Sequence, residues 1–268
     1  ERFDIPYIKY KADYYMIDNH LDNMKSFDIY LNARVCRNLL GLDSMSQKSL
    51  EVFLGTQRRD VYDGGKLIPV YYEYEKNGSE QLEELLLLHN HDDLLGMPYI
   101  SRILNYKSLF EHTDFDIIDM QKDDNNINVR LSLSDNCFIP KRYTHTNKNG
   151  VYINAFEKNA VITIPVISGR LKHYFKDYRN YYYLPKEDMA IHKSVATYVD
   201  PDNRQRASKS NCYITKDDSF IICPDRNYSE TFQKDITDTE LYRTCSSFVN
   251  SSCKEQSDYI NDLLKSFL

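Results

Sequence analysis

The chain has 268 residues, of which 41% are hydrophobic and 28% are charged, and its formal net charge is −6 at pH 7. These values predict a soluble globular protein with one large domain or two ordinary ones. The acidic balance argues against a broadly basic surface that coats nucleic acid, but a nuclease remains compatible because its acidic metal ligands add to the total. No apolar run approaches the roughly 18 residues needed to cross a bilayer, so no membrane partner is expected.

The first hundred residues are predicted to be mainly helical. Apolar residues recur there at helical spacing, and glycines stand where several of the helices should end. The predicted elements are a helix from Pro6 to about Met16, a short strand over Ser26–Tyr30, and helices over Leu31–Leu40, Gln47–Leu54, Pro69–Lys76, Ser79–Leu95 and Tyr99–Asn105.

The pattern changes near residues 114–126, a charged and Asn-rich stretch that we interpret as linker. Beyond it, short β-branched or aromatic runs bounded by turn residues indicate strands. The predicted strands are Ile127–Leu133, Val151–Phe156, Ala160–Ile167, Tyr181–Leu184, Asn211–Thr215 and Ser219–Cys223, with helices over Asp188–Val199 and, broken near Ser251, Thr239–Leu268.

The six cysteines show neither a Cys-x-x-Cys pair nor the spacing of zinc ligands. We therefore predict free thiols in a reducing cytoplasm. Cys245 and Cys253 are too far apart along a predicted helix to form a disulfide.

The long leucine-rich helix carries an unusual pair, His89 and Asp93. At 100° per residue, both fall on one face with Leu82, Leu86 and Met97, so ionisable groups interrupt an apolar stripe. Burying such groups costs several kcal/mol unless they are paired, bind a metal or line a cleft. An Asp favours hard ions such as Mg²⁺ or Mn²⁺, and the His could take a proton from water. The alternative is an ion pair that only fixes the helix.

Several motifs, in order, resemble the DEDD-type 3′–5′ exonucleases of the ribonuclease H-like fold, and more closely the bacterial ribonuclease H-like proteins predicted to be exonucleases. The resemblance covers roughly residues 1–104. It rests on Phe3-Asp4-Ile5-Pro6, Phe27-Asp28-Ile29-Tyr30, Leu39-Leu40-Gly41-Leu42, Phe53-Leu54-Gly55, Pro69-x-Tyr71-Tyr72-x-Tyr74 and His89-Asn90-x-x-Asp93.

The resemblance implies catalytic roles for three residues. Asp4 would be the carboxylate of the second exonuclease motif, Asp93 that of the third, and His89 the general base, although this His stands where one branch of the superfamily has a Tyr. Asp4 and Asp93 would bind two Mg²⁺ or Mn²⁺ ions. His91 and Asp92 are expected to face solvent or to lie behind the site.

The family's first motif, an Asp-x-Glu that supplies two more carboxylates, does not occur at a suitable place in residues 1–104. Because the chain starts at Glu1 without an initiator Met, we expect this motif upstream. Otherwise this form would be inactive.

Three cations, Lys48, Arg58 and Arg59, are candidates for holding a phosphate backbone, with solvated surface charge as the simpler explanation. Asp28 is a further candidate for the cleft, or else a helix cap. Residues 169–209 contain nine Lys or Arg, five Asp or Glu and many tyrosines. Such a mixture suits single-stranded nucleic acid, although half-buried strands also favour Tyr. The candidates in that stretch are Lys172, Tyr174, Tyr178 and Lys193.

The predicted fold class is an N-terminally incomplete α/β ribonuclease H-like domain, mostly its helical part, followed by a β-rich α+β module. The expected boundaries are 1–106 for the first domain, 107–126 for the linker and 127–268 for the accessory module. The predicted function is metal-dependent 3′–5′ hydrolysis of terminal phosphodiesters, acting on single-stranded ends of nucleic acid. The alternatives are a non-catalytic nucleic-acid-binding protein with the same fold, and an acidic interaction module in which the His89–Asp93 pair is structural.

Overall fold

The computed structural model describes residues 4–56, 59, 62, 64–111, 114–224, 228 and 230–268. The chain divides into two compact units, Glu1–Lys107 and Ser108–Leu268. Within the described part, no helix is both long and apolar enough to cross a membrane. All six cysteines are free thiols, as predicted, and only Cys253 is exposed.

The described part of the first unit is helical. Local signals set several helix ends: the Asp28 carboxylate accepts a hydrogen bond from the backbone N–H of Leu31 at 2.9 Å, and Ser46 caps the next helix in the same way. Gly41 and Gly55 end these two helices with φ of 61° and 80°, the left-handed region that favours glycine. The helices are α1 (Asp4–Tyr14), α2 (Ile29–Leu40), α3 (Gln47–Leu54), α4 (Gly64–Asn77), α5 (Glu80–Ile100) and α6 (Leu104–Glu111).

The predicted helices over residues 31–40 and 47–54 are confirmed, but the strand expected over Ser26–Tyr30 is wrong. In the structure this stretch contains Asp28, which is the N-cap of α2, and the first two residues of that helix. The Asp28 side chain accepts a hydrogen bond from a backbone N–H of the first turn, which has no partner within the helix. The long helix α5 continues through Pro98 to Ile100, five residues beyond the predicted end.

The helices α3 and α5 approach closely at Gly96. Glu51 is 1% exposed and accepts a hydrogen bond from Nε2 of Gln47 at 2.9 Å. The same Gln47 nitrogen donates to the backbone carbonyl of Asp93 at 2.8 Å. A Cβ on residue 96 would overlap Oε1 of Glu51 and lie 2.6 Å from Nε2 of Gln47. Only glycine therefore leaves room for this buried polar contact.

Gly96→Ala should destabilise the first unit by about 1–2 kcal/mol. The added methyl displaces buried hydrogen-bonded groups, which outweighs the gain of roughly 1 kcal/mol in helix propensity. Hydrogen exchange of the α3 and α5 amides measures the change. Leu94→Ala, at a position 74% exposed on the same helix, is the matched control and should change stability by less than about 0.5 kcal/mol. Equal protection in both variants would contradict this role of Gly96.

The second unit contains three antiparallel sheets, with strand orders β1-β2-β5-β4-β3, β11-β10-β6 and β8-β7-β9. Its strands are β1 (Phe115–Lys122), β2 (Asn126–Leu133), β3 (Ile139–Thr146), β4 (Tyr152–Glu157), β5 (Asn159–Pro165), β6 (Ile167–Tyr174), β7 (Tyr181–Leu184), β8 (Met189–His192), β9 (Gln205–Arg206), β10 (Tyr213–Cys223) and β11 (Leu241–Thr244). Its helices beyond α6 are α7 (Lys193–Ala196), α8 (Cys245–Val249) and α9 (Cys253–Lys265).

Three predictions for this part need correction. The stretch 107–126, predicted to be a linker, holds the end of α6 and strand β1. The charge pattern along this stretch does not reveal that β1 pairs with β2. The helix expected over Asp188–Val199 is strand β8 followed by the short α7. The C-terminal helical stretch begins with strand β11, and its predicted break is real: α8 ends at Val249 and α9 starts at Cys253.

The C-terminal helix α9 joins two of the sheets. Tyr259 is fully buried and its hydroxyl donates to the carbonyl of Ile222 in β10 at 2.6 Å. Just beyond α9, Phe267 stacks on Phe110 with ring centroids 5.4 Å apart, and Phe110 also meets Tyr143 of β3. A capping box of Ser252 and Glu255 starts the helix. The apolar face of α9 therefore completes the core of the second unit.

The turn between β7 and β8 is held by a carboxylate with two phenol donors. Asp188 has φ of 52°, which is uncommon outside glycine. Its Oδ1 accepts hydrogen bonds from Tyr183 at 2.6 Å and from Tyr213 of β10 at 2.5 Å. These two bonds, chiefly that of Tyr183, lower the pKa of the Asp188 carboxyl. The charged carboxylate therefore ties the small sheet to β10.

Asp188→Asn should weaken the second unit more at pH 6 than at pH 3. Because the folded pKa of Asp188 is lowered, its contribution is present above the ordinary carboxyl pKa and is lost as the pH falls through the folded value. Asn also tolerates the left-handed backbone, so the comparison isolates the charge. Urea unfolding of the second unit at both pH values measures the effect. A stability difference that does not shrink on acidification would exclude this role.

Candidate functional site

The His89–Asp93 pair lies on α5 as its spacing predicts. Nε2 of His89 is 3.4 Å from Oδ2 of Asp93, one helical turn away. The His side chain is 15% exposed, whereas the Asp side chain is 42% exposed. The distance is longer than that of a strong N–H···O hydrogen bond, and it places the carboxylate beside the ring. Asp93 is therefore accessible from solvent, whereas only a small part of the His89 side chain is.

Asp92, not Asp93, is the buried carboxylate of this helix, so of the two placements expected for Asp92, facing solvent is wrong. It is 9% exposed, and its Oδ2 accepts the backbone N–H of Arg59 at 2.8 Å. Asp92, Gly96 and Ile100 are the buried residues of α5, whereas Met97 is 47% exposed. The inner face of the helix is thus rotated relative to the predicted stripe, because the close contact with α3 at Gly96 selects that face. His91 is exposed, as expected.

Asp4 and Asp28 line one open cleft of about 1080 Å³ in the first unit. Asp4 is exposed in the first turn of α1, while Asp28 is engaged as the cap of α2. Arg34 and Met97 also line this cleft, and Met97 lies one turn after Asp93 on α5. His89 and Asp93 are not among its lining residues. Asp28 therefore meets both alternatives considered for it, since it lines the cleft with Asp4 and caps α2.

The other predicted cations of the first unit fall in different places. Lys48 is half-buried on α3, and Arg59 is exposed beside the Asp92 contact. Arg58 lies outside the described residues. Arg59 shares a smaller pocket of about 520 Å³ with Asp92, Glu51 and Arg102. This pocket therefore combines buried carboxylates with guanidinium groups.

The predicted nucleic-acid residues of the second unit lie on several elements. Lys172 and Tyr174 are on β6, where Nζ of Lys172 lies 4.4 Å from the ring centroid of Tyr213. Burial, with the charge of Asp235, raises the pKa of Tyr174, so its phenol stays neutral. Tyr178 is in a short 3-10 helix, and Lys193 starts α7 and donates to Asn180.

Two guanidinium groups at the small sheet are not among the residues predicted from the sequence. Arg204 and Arg206 both lie over the ring of Tyr182, at 5.1 and 5.4 Å from its centroid. The signal available in the sequence is the alternation Arg-Gln-Arg, because residues two apart in a strand share one side.

A divalent metal centre is not complete in the described residues. They contain no group of three or more His, Cys, Asp or Glu side chains placed to hold a metal ion. Two-metal hydrolysis needs several bridging carboxylates, so Asp4 and Asp93 by themselves do not fit such a centre.

Residues 1–105 match the family described as the RNase_H superfamily. The match extends from the start of the chain through α5 into α6 and supports a ribonuclease H-like domain in this part. A domain of this superfamily indicates a nuclease or another function related to nucleic acid, and such nucleases generally use divalent metals. No curated protein and no solved structure matches the chain.

Substituting the two neighbouring carboxylates of α5 should separate a structural role from a functional one. Asp92→Ala removes the acceptor for a buried backbone N–H and should destabilise the first unit by about 1–3 kcal/mol. Asp93→Ala, at a half-exposed position, should change stability by less than about 0.5 kcal/mol. Hydrogen exchange of the α5 amides compares the two variants. The assignment fails if Asp93→Ala is as damaging as Asp92→Ala.

Proposed function

We propose that this protein is a 3′–5′ exonuclease that hydrolyses terminal phosphodiesters of single-stranded nucleic acid. The observation that carries the proposal is the His89–Asp93 pair, 3.4 Å apart on α5 with Asp93 accessible to solvent, within the part of the chain that matches the RNase_H superfamily. The adjacent Asp92 is buried and bonds the backbone N–H of Arg59, so we assign the chemistry to Asp93, whose side chain is 42% exposed.

In this proposal His89 takes the proton from the attacking water. An imidazole titrates near neutral pH and therefore suits a general base. Asp93 orients the ring from one turn away, and Gln47 holds the backbone carbonyl of Asp93 at 2.8 Å. Asp4, on the separate helix α1, is the second carboxylate assigned to the reaction.

A specific observation supports a second function, a nucleic-acid-binding protein without catalysis. The described residues lack a group of three or more metal-binding side chains, and hydrolysis by this superfamily generally uses divalent ions. A fold that retains its nucleic-acid surface but not a complete centre would bind a strand and leave it intact.

The complete protein with Mg²⁺ or Mn²⁺ should shorten 5′-labelled single-stranded DNA or RNA progressively from the 3′ end, and a 3′-blocked strand should resist. His89→Gln should slow the reaction by roughly 10² to 10⁴, the usual contribution of a general base, and Asp93→Asn should slow it at least as much. Glu84→Gln, an exposed position on the same helix, is the matched control and should retain activity.

The outcomes separate the two functions. Binding of the strand without any shortening would favour the non-catalytic protein and overturn the exonuclease proposal. Shortening that is unchanged by Asp93→Asn would show that this pair is not the catalytic site. Internal cuts in a 3′-blocked strand would contradict the proposed direction.

A further inference from the structure

Two guanidinium groups share one aromatic ring on the small sheet of the second unit. Arg206 is the direct cross-strand neighbour of Tyr182, and Arg204 precedes it by two residues on the same side. Their guanidinium carbons lie 5.4 and 5.1 Å from the Tyr182 centroid. Arg204 also donates to the carbonyl of Ala196 at the end of α7. The fold therefore positions both guanidinium groups without the help of a ligand.

Neither guanidinium forms an ion pair within 4.0 Å in the described part of the chain. The nearest acidic residues in sequence are Asp200 and Asp202, and Oδ1 of Asp200 is engaged by the backbone N–H of Asp202 at 3.0 Å. Two cations held at one ring repel each other, so an anion between them would be bound favourably.

An exposed ring stands close to this pair in the chain. Tyr198 is 91% exposed, and its backbone N–H bonds the carbonyl of Val195 in the turn that also supplies the Ala196 carbonyl to Arg204. Exposed rings on which bases stack, beside cations that meet phosphates, are typical of surfaces that bind single strands. Arg is also better suited than Lys to a phosphate, because its planar fork donates two parallel hydrogen bonds.

We propose that Arg204 and Arg206, held over Tyr182, form a phosphate-binding site for the backbone of single-stranded nucleic acid, with Tyr198 stacking on a base. This inference rests on the proposed function in assigning nucleic acid as the ligand. It extends that function by assigning a strand-binding role to the second unit, outside the region that matches the RNase_H superfamily. The site reads no sequence, because phosphate contacts position a strand without identifying its bases.

The test is binding of a fluorescent single-stranded oligothymidylate 20-mer by the complete protein in EDTA, so that hydrolysis plays no part. The double variant R204Q/R206Q should bind at least tenfold more weakly. Its plot of log affinity against log salt should also flatten by about 1.4, since each lost phosphate contact on a single strand contributes roughly 0.7. R206Q alone, which leaves the Arg204 contact with Ala196 intact, should flatten the slope by about 0.7.

Arg142 offers a matched control in the same unit. Its guanidinium also lies over a ring, 5.0 Å from the Phe156 centroid, but on the five-stranded sheet. R142Q removes the same charge and should change affinity less than twofold. Y182F should bind like the natural protein, while Y182L, which removes the ring that holds both cations, should weaken binding several-fold without loss of the β-sheet circular dichroism signal.

Binding by R204Q/R206Q within twofold of the natural protein, with an unchanged salt slope, would overturn the proposal. So would tight binding of inorganic phosphate that the double variant loses while oligonucleotide binding is unaffected, because the site would then serve a free anion. Both results are independent of the exonuclease assay, since a failure of His89 and Asp93 to support hydrolysis leaves this binding measurement unchanged.

Discussion

The close contact of α3 with α5 is the constraint on which the candidate site depends. Gly96 lets the two helices approach until the buried Glu51 and Gln47 fill the space that a side chain would need. Gln47 then bonds the backbone of Asp93, so one amide links the packing of two helices to the position of the proposed catalytic carboxylate. We therefore expect a side chain at residue 96 to shift His89 and Asp93, although neither residue contacts the position of its Cβ.

This contact also decides how the ionisable residues of α5 divide their roles. Asp92 faces inwards and satisfies the backbone of Arg59, while Asp93, the next residue, is 42% exposed beside His89. Adjacent residues on a helix point about 100° apart. A rotation of α5 about its axis would therefore exchange Asp92 and Asp93 as the buried carboxylate.

The second unit combines a buried core with two guanidinium groups, Arg204 and Arg206, that form no ion pair among its described residues. Helix α9 connects two of its sheets. Tyr259 bonds β10, and Phe267, just after the helix, stacks on Phe110, which contacts Tyr143 of β3. On the small sheet, Asp188 holds the turn between β7 and β8 through Tyr183 and Tyr213. Tyr182, between these anchored positions, is thereby fixed under Arg204 and Arg206. Tyr182 and Tyr183 thus make contacts within the fold, as the simpler explanation for these tyrosines expects, while nucleic-acid binding by this stretch stays a proposal.

Local features could be predicted from the sequence: the helices over residues 31–40 and 47–54, their ends at Gly41 and Gly55, and the His89–Asp93 spacing. The sequence also carried the motif order that matches the RNase_H superfamily. These depend on neighbouring residues, whose capping and periodicity can be read along the chain. The sequence alone could not show that Asp92 is the buried carboxylate or that two arginines meet over Tyr182, and it left open whether Asp28 lines the cleft. Those outcomes depend on which helix face packs inwards and which strands pair, and both are set by contacts between residues far apart in the sequence.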